Sequence, residues 1–485
     1  MEVSVIGAGY VGLVTAACLA NMGNRVRCID IDPHRVERLR QGSLPFSEPN
    51  LDRLVRSGCD SGRLVFPSDP DAVRNTELAI VAVGTLDDAG EWTSATVEAA
   101  VLALAADRAA PRAIVIRSTL LPGTAMNLAS RAGLLDPTVR LAVNPEFTRE
   151  GSAVTDFLAP QRVVIGVGPG RSDIEGTVDD RERTLITSLR ALFEPLDAPI
   201  LVTDLTSAEL IKVGSNVFLA AKITFANELA RLSIATGGDP MAVVEGLGLD
   251  DRIGRAFLSP GPGYGGSCFP SQARALPGIA RRAGVPTRLI DAIAPSNVDQ
   301  IGWILEQAER ALGEPVAQRR VALLGLTFKA NTDDLRESPA LRLAAALVHR
   351  GAEVVAFDPI ATTSAIEALA RSEGIALIPA GTVEVACTGA DLAIVATEWP
   401  SFGSLDWTAI APSMRRPMVL DARSVVDPAA VARAGMTVTG LIGSAPAGRT
   451  TSLPARQGPG RDVDAGGRVR PGRANHADIG AAATR

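Results

Sequence analysis

Short apolar runs alternate with helix-patterned or polar stretches twice along this chain, and that alternation excludes most architectures. Glu2–Ile6, Arg25–Ile29, Glu77–Val83, Ala113–Ile116 and Arg140–Val143 are rich in Val and Ile and too short to be buried helices. Strands separated by helical crossovers assemble as a parallel sheet, because a parallel neighbour is reached only by a long return connection. Arg162–Val167 and Pro199–Val202 read as two further strands that close this region near residue 204. A second, smaller α/β pattern begins at Val321–Leu326 and continues through Glu353–Phe357, Leu392–Val395 and Met418–Leu420. At 485 residues the chain is too long for one ordinary core, so more than one domain is expected.

Between the two patterns lies a long helical stretch. Thr206 and Glu209 have the spacing of a capping box, in which each side chain satisfies a free backbone N–H at the helix start. Leu210, Val213, Val217, Ala220, Ile223 and Leu229 hold one apolar face as far as Ala235, and Gly237-Gly238 then ends the helix. A helix of that length bridges two domains or builds a subunit interface. Past about Ser444 the pattern collapses into Gly, Pro, Ala, Arg and Thr, with seven Arg against three Asp. Such a segment cannot bury enough surface to offset its ordering entropy, so a disordered tail is expected, passive by composition or able to touch an acidic partner.

Charge and cysteine usage exclude several functions. A net charge of −6, spread without runs, offers no basic surface to nucleic acid. No stretch reaches the roughly 18 uninterrupted apolar residues of a membrane helix, so no membrane association is expected. Cys18, Cys28, Cys59, Cys268 and Cys387 are odd in number and contain no CxxC pair, which argues against a disulfide framework and against a metal cluster. A cytoplasmic protein is the reading that follows.

Gly7-Ala8-Gly9-Tyr10-Val11-Gly12 lies directly after the first strand and opens a helix. Gly7 permits a tight turn, Gly9 lets the backbone approach a pyrophosphate, and Gly12 lets helix and strand pack closely. The phosphates then meet free N–H groups at the positive helix end. Asp30 ends the second strand, where a carboxylate accepts bonds from both ribose hydroxyls and repels a 2′-phosphate, so NAD is favoured over NADP. Arg35 is either a cofactor contact or an ordinary surface arginine.

The richest stretch is Gly261-Pro-Gly-Tyr-Gly-Gly-Ser-Cys268-Phe-Pro270. Its glycines set a thiol on backbone able to wrap closely around a ligand, and its flanks read as loop rather than core strand or helix. A thiolate adds to an aldehyde, and the adduct loses a hydride to become a thioester. Lys212 and Asn216 are four apart on the long helix and share a face, where cation and amide can hold a developing alkoxide. Asn144-Pro145-Glu146-Phe147-Thr148-Arg149-Glu150-Gly151 follows a strand end, where open α/β sheets bind ligands, and its two carboxylates can orient a water or contact sugar hydroxyls. Ser118-Thr119 ends another strand on that rim; helix capping is the alternative for each of these polar groups.

In this order the motifs resemble the UDP-glucose/GDP-mannose dehydrogenase family. Further matches are Asp251-Arg252-Ile253-Gly254, Phe257-Leu258, the run from Gly325 through Lys329, Asn331, Asp333-Asp334 and Arg336 to Pro339, and Phe357-Asp358-Pro359. The resemblance implies an α/β fold of two Rossmann-like doubly wound domains joined by a long central helix and a helical dimerisation region. The domains would be residues 1–204 for NAD, 205–316 for dimerisation and the cysteine loop, and 317–443 for the nucleotide sugar, with 444–485 as the tail. It further implies NAD-dependent four-electron oxidation of a nucleotide sugar, UDP-glucose to UDP-glucuronate foremost, through a thiohemiacetal and a thioester. Cys268 would be the nucleophile and Lys212 and Asn216 the oxyanion holders, with Glu146, Glu150 and Thr119 serving the water and the first oxidation. Cofactor contacts would come from the glycine motif, Tyr10, Val11, Asp30, Arg35, Thr85, Thr119, Glu150 and, at the pyrophosphate, Arg336. The sugar nucleotide would meet Glu146, Phe147, Glu150, Lys212, Asn216, Phe257, Tyr264, Gly265 and Lys329, and Arg252 would reach it across a homodimer interface.

The chain departs from the family directly after the cysteine. Phe269-Pro270-Ser271-Gln272 stands where the family reads Leu-Pro-Lys-Asp, and Leu86 stands where proline is usual. The lysine helps hold the cofactor and the aspartate helps remove a proton, which glutamine cannot do. Slow thioester hydrolysis is therefore expected. The rival readings are a catalytically silent nucleotide-sugar-binding homologue and a dehydrogenase of GDP-mannose or UDP-N-acetylmannosamine.

Overall fold

A computed structural model describes residues 1–440 except 68, 88–89, 169–179, 362 and 373. The segment whose composition marks it as a disordered tail lies outside the described residues.

Two sheets form. The first contains β1 (Glu2–Ile6), β2 (Arg25–Ile29), β3 (Leu64–Val65), β4 (Leu78–Val81), β5 (Ala113–Ile116), β6 (Arg140–Val143), β7 (Val163–Val167) and β8 (Ile200–Thr203), in the order β3-β2-β1-β4-β5-β6-β7-β8. The second contains β9 (Arg320–Leu324), β10 (Glu353–Phe357), β11 (Leu377–Pro379), β12 (Leu392–Val395), β13 (Met418–Asp421) and β14 (Thr437–Gly440), in the order β11-β10-β9-β12-β13-β14. Strand order reverses between β1 and β4 and again between β9 and β12, which opens a crevice at the carboxyl end of each sheet. Helices cover both faces of the first sheet. Leu13 and Ala17 pack with Val3 and Val5 on one side, while Val97 and Leu128 pack with Val81 and Ile114 on the other. Burial on both faces is why these strands read as continuous apolar runs rather than as alternating ones.

The first sheet is not wholly parallel, as the alternation suggested. β6 and β7 pair antiparallel, with Ala142 opposite Val167. The connection between them holds only the six-residue helix Ala153–Leu158, too short to carry the chain back across the sheet. That reversal keeps residues 144–162 at the carboxyl rim, which is where a ligand-binding loop belongs. The edge strands β3 and β11, two and three residues long, left no periodic signal to read.

The long helix runs Leu205–Thr236 and ends at Gly237 with φ 79°, as its glycines predicted. The capping box does not form. Asp204 is the N-cap and accepts from the Ser207 N–H at 2.9 Å, while Glu209 turns inward to another element. The apolar face is also less uniform than the sequence suggested: Val213, Val217 and Ala220 are buried, but Leu210 is 46 % exposed. Among the described residues no helix is long and apolar enough to cross a membrane, and no group of three or more His, Cys, Asp and Glu could hold a metal ion.

Candidate active site

At the reversal between β1 and β4, each glycine of the motif has its own reason. A side chain on Gly7 would meet the Ala82 carbonyl oxygen at 2.6 Å, and one on Gly12 would meet the Gly7 carbonyl oxygen at 1.9 Å. Gly12 is thus required by its own loop rather than by the strand. Nothing in the protein lies within 4 Å of where a Gly9 side chain would sit, so the backbone there is open to a bound group. Asp30 accepts from the Ala8 N–H at 2.7 Å and pairs with Arg35 at 3.0 Å. The pairing weakens, without removing, the charge that would repel a 2′-phosphate. Ile31, next to Asp30, is 94 % exposed, an apolar surface at the adenine end of such a site. These residues fit a dinucleotide.

A cavity of about 630 Å³ opens near the strand-end loops. Glu146, Phe147 and Glu150 line it from the loop after β6, and Lys212 and Asn216 line it from the long helix. Phe257, Tyr264, Gly265 and Cys268 come from the glycine-rich segment, and Lys329 from the loop after β9. Ten residues singled out in the sequence thus share one cavity. Thr119 and Arg336 do not line it: the Thr119 carbonyl accepts the Trp92 indole N–H at 3.2 Å, and Arg336 is bound by Asp334. Arg252 lies outside as well, its side chain 88 % exposed and paired with Asp250. Thr85 keeps to the loop after β4, where its carbonyl accepts the Thr93 N–H at 2.9 Å.

Cys268 corrects the sequence reading of its flanks, since only the N-terminal flank is loop. The cysteine is the first residue of the helix Cys268–Arg282, which tolerates Pro270 because N–H groups of a first turn have no partner in the helix. Gly266, with φ 78°, packs against the Phe328 ring and turns the chain into that helix. The thiol is accessible from the cavity yet closely surrounded by protein, and burial holds it above its ordinary value of 9.0 while Lys212 pulls the other way. A raised thiol pKa means little thiolate at neutral pH and more as pH rises. Alkylation of Cys268 by iodoacetamide, followed on its peptide by mass spectrometry, should therefore quicken about tenfold per pH unit between pH 7 and 9. A plateau below pH 8 would contradict this.

Lys212 donates to Glu146 Oε1 at 2.8 Å, and both are buried. Burial alone would raise Glu146, but the Lys212 charge and hydrogen bonds from Lys212 and Thr148 leave it below the usual carboxylate value. Asn216 donates to Gln272 Oε1 at 3.0 Å. The Ser271 hydroxyl donates back to the Ser267 carbonyl at 2.7 Å and makes no contact with the cavity.

Two carboxylates meet beside these groups. Burial, then the nearby Asp334, pushes Glu150 well above the carboxylate range. Burial acts on Asp334 too, but the Arg336 guanidinium, bonded at 2.8 Å, holds it low. Glu150 is the partner that keeps the proton. Burial lowers Lys329.

Glu48 was not singled out in the sequence. It is buried, accepts from the Gly151 and Ala153 N–H groups at 2.7 Å each and from the Tyr10 hydroxyl, and so ties the cofactor loop to the Glu150 loop. The Tyr10 hydroxyl is thereby committed to the protein. No local signal distinguishes Glu48 from an exposed loop glutamate; only long-range packing does.

The chain is similar to known proteins along most of its length. Residues 1–177 match the NAD binding domain of the UDP-glucose/GDP-mannose dehydrogenase family, residues 206–299 its central domain and residues 322–428 its UDP binding domain. The UDP-glucose 6-dehydrogenase of Pseudomonas aeruginosa is 39 % identical, over 91 % of this chain and 97 % of that one. A UDP-glucose dehydrogenase structure from Pyrobaculum islandicum superposes with TM-score 0.79 at 35 % identity, covering 91 % of this chain and 98 % of its own. The UDP-D-ManNAc dehydrogenase structure from Pyrococcus horikoshii gives 0.77 at 25 % identity, covering 91 % and 99 %.

Proposed function

The chain belongs to the UDP-glucose/GDP-mannose dehydrogenase family, and from that premise we propose that it oxidises the C6 alcohol of UDP-glucose to a carboxylate with NAD, through a thioester on Cys268. The observation that carries this reading is the convergence of an accessible thiol, a buried Lys212–Glu146 pair and the Asn216 amide on one cavity. NAD, when bound, would supply the hydride acceptor for both oxidations. Lys212 and Asn216 hold the oxygen on C6 as it gains charge. The Cys268 thiolate adds to the aldehyde carbon to give a thiohemiacetal, whose loss of hydride leaves a thioester, and water then releases the carboxylate and returns the thiol. Glu150, holding its proton, is suited to orient that water or a sugar hydroxyl by donating a hydrogen bond. The glycine motif, Asp30 and Arg35 would hold the cofactor.

We read the domains as 1–204, 205–316 and 317–443, and the assembly as a homodimer. The dimer is supported by Phe218, Phe225 and Leu232, spaced by seven on the long helix and more than half exposed. Lys222, on the same helix, donates to the Ile253 and Gly254 carbonyls, so the Arg252 loop sits beside this stripe. Sedimentation equilibrium at micromolar concentration should give twice the chain mass; a monomer would exclude the dimer. Free thiols throughout the described chain suit a cytoplasmic protein.

Absorbance near 340 nm in the presence of UDP-glucose tests the reaction. Two NADH per sugar are expected, with GDP-mannose and UDP-N-acetylmannosamine as comparison substrates. No NADH from any of the three, with binding intact, would leave the silent homologue as the better description.

A further inference from the structure

Glu209 takes no part in the chemistry above, yet it is only 1 % exposed. It lies one turn before Lys212 on the long helix. Its Oε2 accepts from the Gly123 N–H at 2.6 Å and its Oε1 from the Ala125 N–H at 2.7 Å. Both donors stand at the start of the helix Thr124–Leu135, whose own N-cap, Gly123, has no side chain to offer. A distant carboxylate thus closes this helix end. The loop just before it is fixed at its other end: the Ser118 hydroxyl donates to the Val83 carbonyl at 2.7 Å, and Arg117 donates to Thr15 and Asn144. Thr119 lies between the two anchors.

We propose that Glu209 is a positioning residue whose carboxylate holds the Thr119–Gly123 loop in register with Lys212 and Asn216. One buried group then couples the rim expected to face the cofactor to the helix face expected to hold the oxyanion. A shift of about 1 Å between such groups can cost 10²-fold in rate, so the coupling matters even though Glu209 touches neither ligand. The inference rests on the dehydrogenase reading for its kinetic consequence but not for the cap itself.

Glu209→Gln in the full chain presents an amide NH₂ to one of the two N–H donors and breaks the cap. Expected are a kcat roughly 10- to 100-fold lower, KM for UDP-glucose and for NAD within about threefold of the parent, and amide exchange at least about tenfold faster in residues 119–126. Glu209→Asp, too short to reach both amides, should move all three in the same direction and serves if the first variant does not fold. Unchanged exchange in 119–126, an unchanged kcat, or kcat and KM falling together with faster exchange throughout the chain would each overturn the proposal. An inactive parent would instead sink the dehydrogenase reading, and the exchange comparison would still decide whether Glu209 holds the loop.

Discussion

Cys268→Ala should stop carboxylate formation almost completely, with a loss on the order of 10⁴- to 10⁶-fold in the four-electron reaction. The thiol opens to the cavity at the first residue of a helix; burial holds it above its ordinary value, and the nearby Lys212 charge opposes that by favouring the thiolate. No other described cysteine can replace it: Cys18, Cys28 and Cys387 are buried, and Cys59 lies on the helix Leu51–Asp60, away from the cavity. The first hydride transfer does not require the thiol. The variant should therefore still form NADH, up to about one per sugar or less, and leave the sugar at the aldehyde oxidation level. Chromatography of the sugar nucleotide together with the NADH trace checks this. If Cys268→Ala yields UDP-glucuronate at the parent rate, the thioester route is wrong.

Gln272→Asp, alone and with Ser271→Lys, should accelerate turnover. General-base losses cost about 10²- to 10⁴-fold, and restoring the base should recover much of that where hydrolysis limits the rate. Gln272 is buried four residues past the cysteine and accepts the Asn216 amide N–H, so a carboxylate at 272 would find that donor in place. Its buried surroundings would raise its pKa toward the range useful for proton removal. Ser271 is a weaker case, because its hydroxyl bonds to its own helix and a lysine there would need a path outward. Most of the gain should come from the aspartate. In the parent, slow hydrolysis predicts a covalent sugar adduct on Cys268, visible by intact mass after quenching in acid. If the double variant is no faster and no adduct accumulates, positions 271 and 272 do not limit the reaction.

The strand, glycine turn, helix and acid of the first βαβ unit were largely readable from the chain alone, because they lie close together in sequence. A strand, a glycine-rich turn, a helix and an acid at the end of the next strand are local features, and Gly12 is required by the carbonyl of Gly7 in its own loop. The cysteine segment was likewise visible through its glycines, although its helical half was not: both flanks read as loop, whereas the helix starts at Cys268 and its first turn admits Pro270. The Thr206–Glu209 capping box failed for the opposite reason. The spacing was right, but Asp204 lay nearer as an N-cap and Glu209 gained two stronger partners 84 and 86 residues away.

What the residues determined unaided is the pair of alternating α/β regions, the glycine motif and the kinds of side chain available for chemistry, since these follow from apolar periodicity and from steric limits within a few residues. Only tertiary structure decided that Lys212 would be neutralised by Glu146 across 66 positions, that Glu150 rather than Asp334 keeps the proton, and that β7 would run antiparallel and hold the carboxylate loop at the rim. The physical reason is range. Turn and strand preferences act between neighbours, whereas desolvation and charge pairing depend on which distant groups share a buried volume.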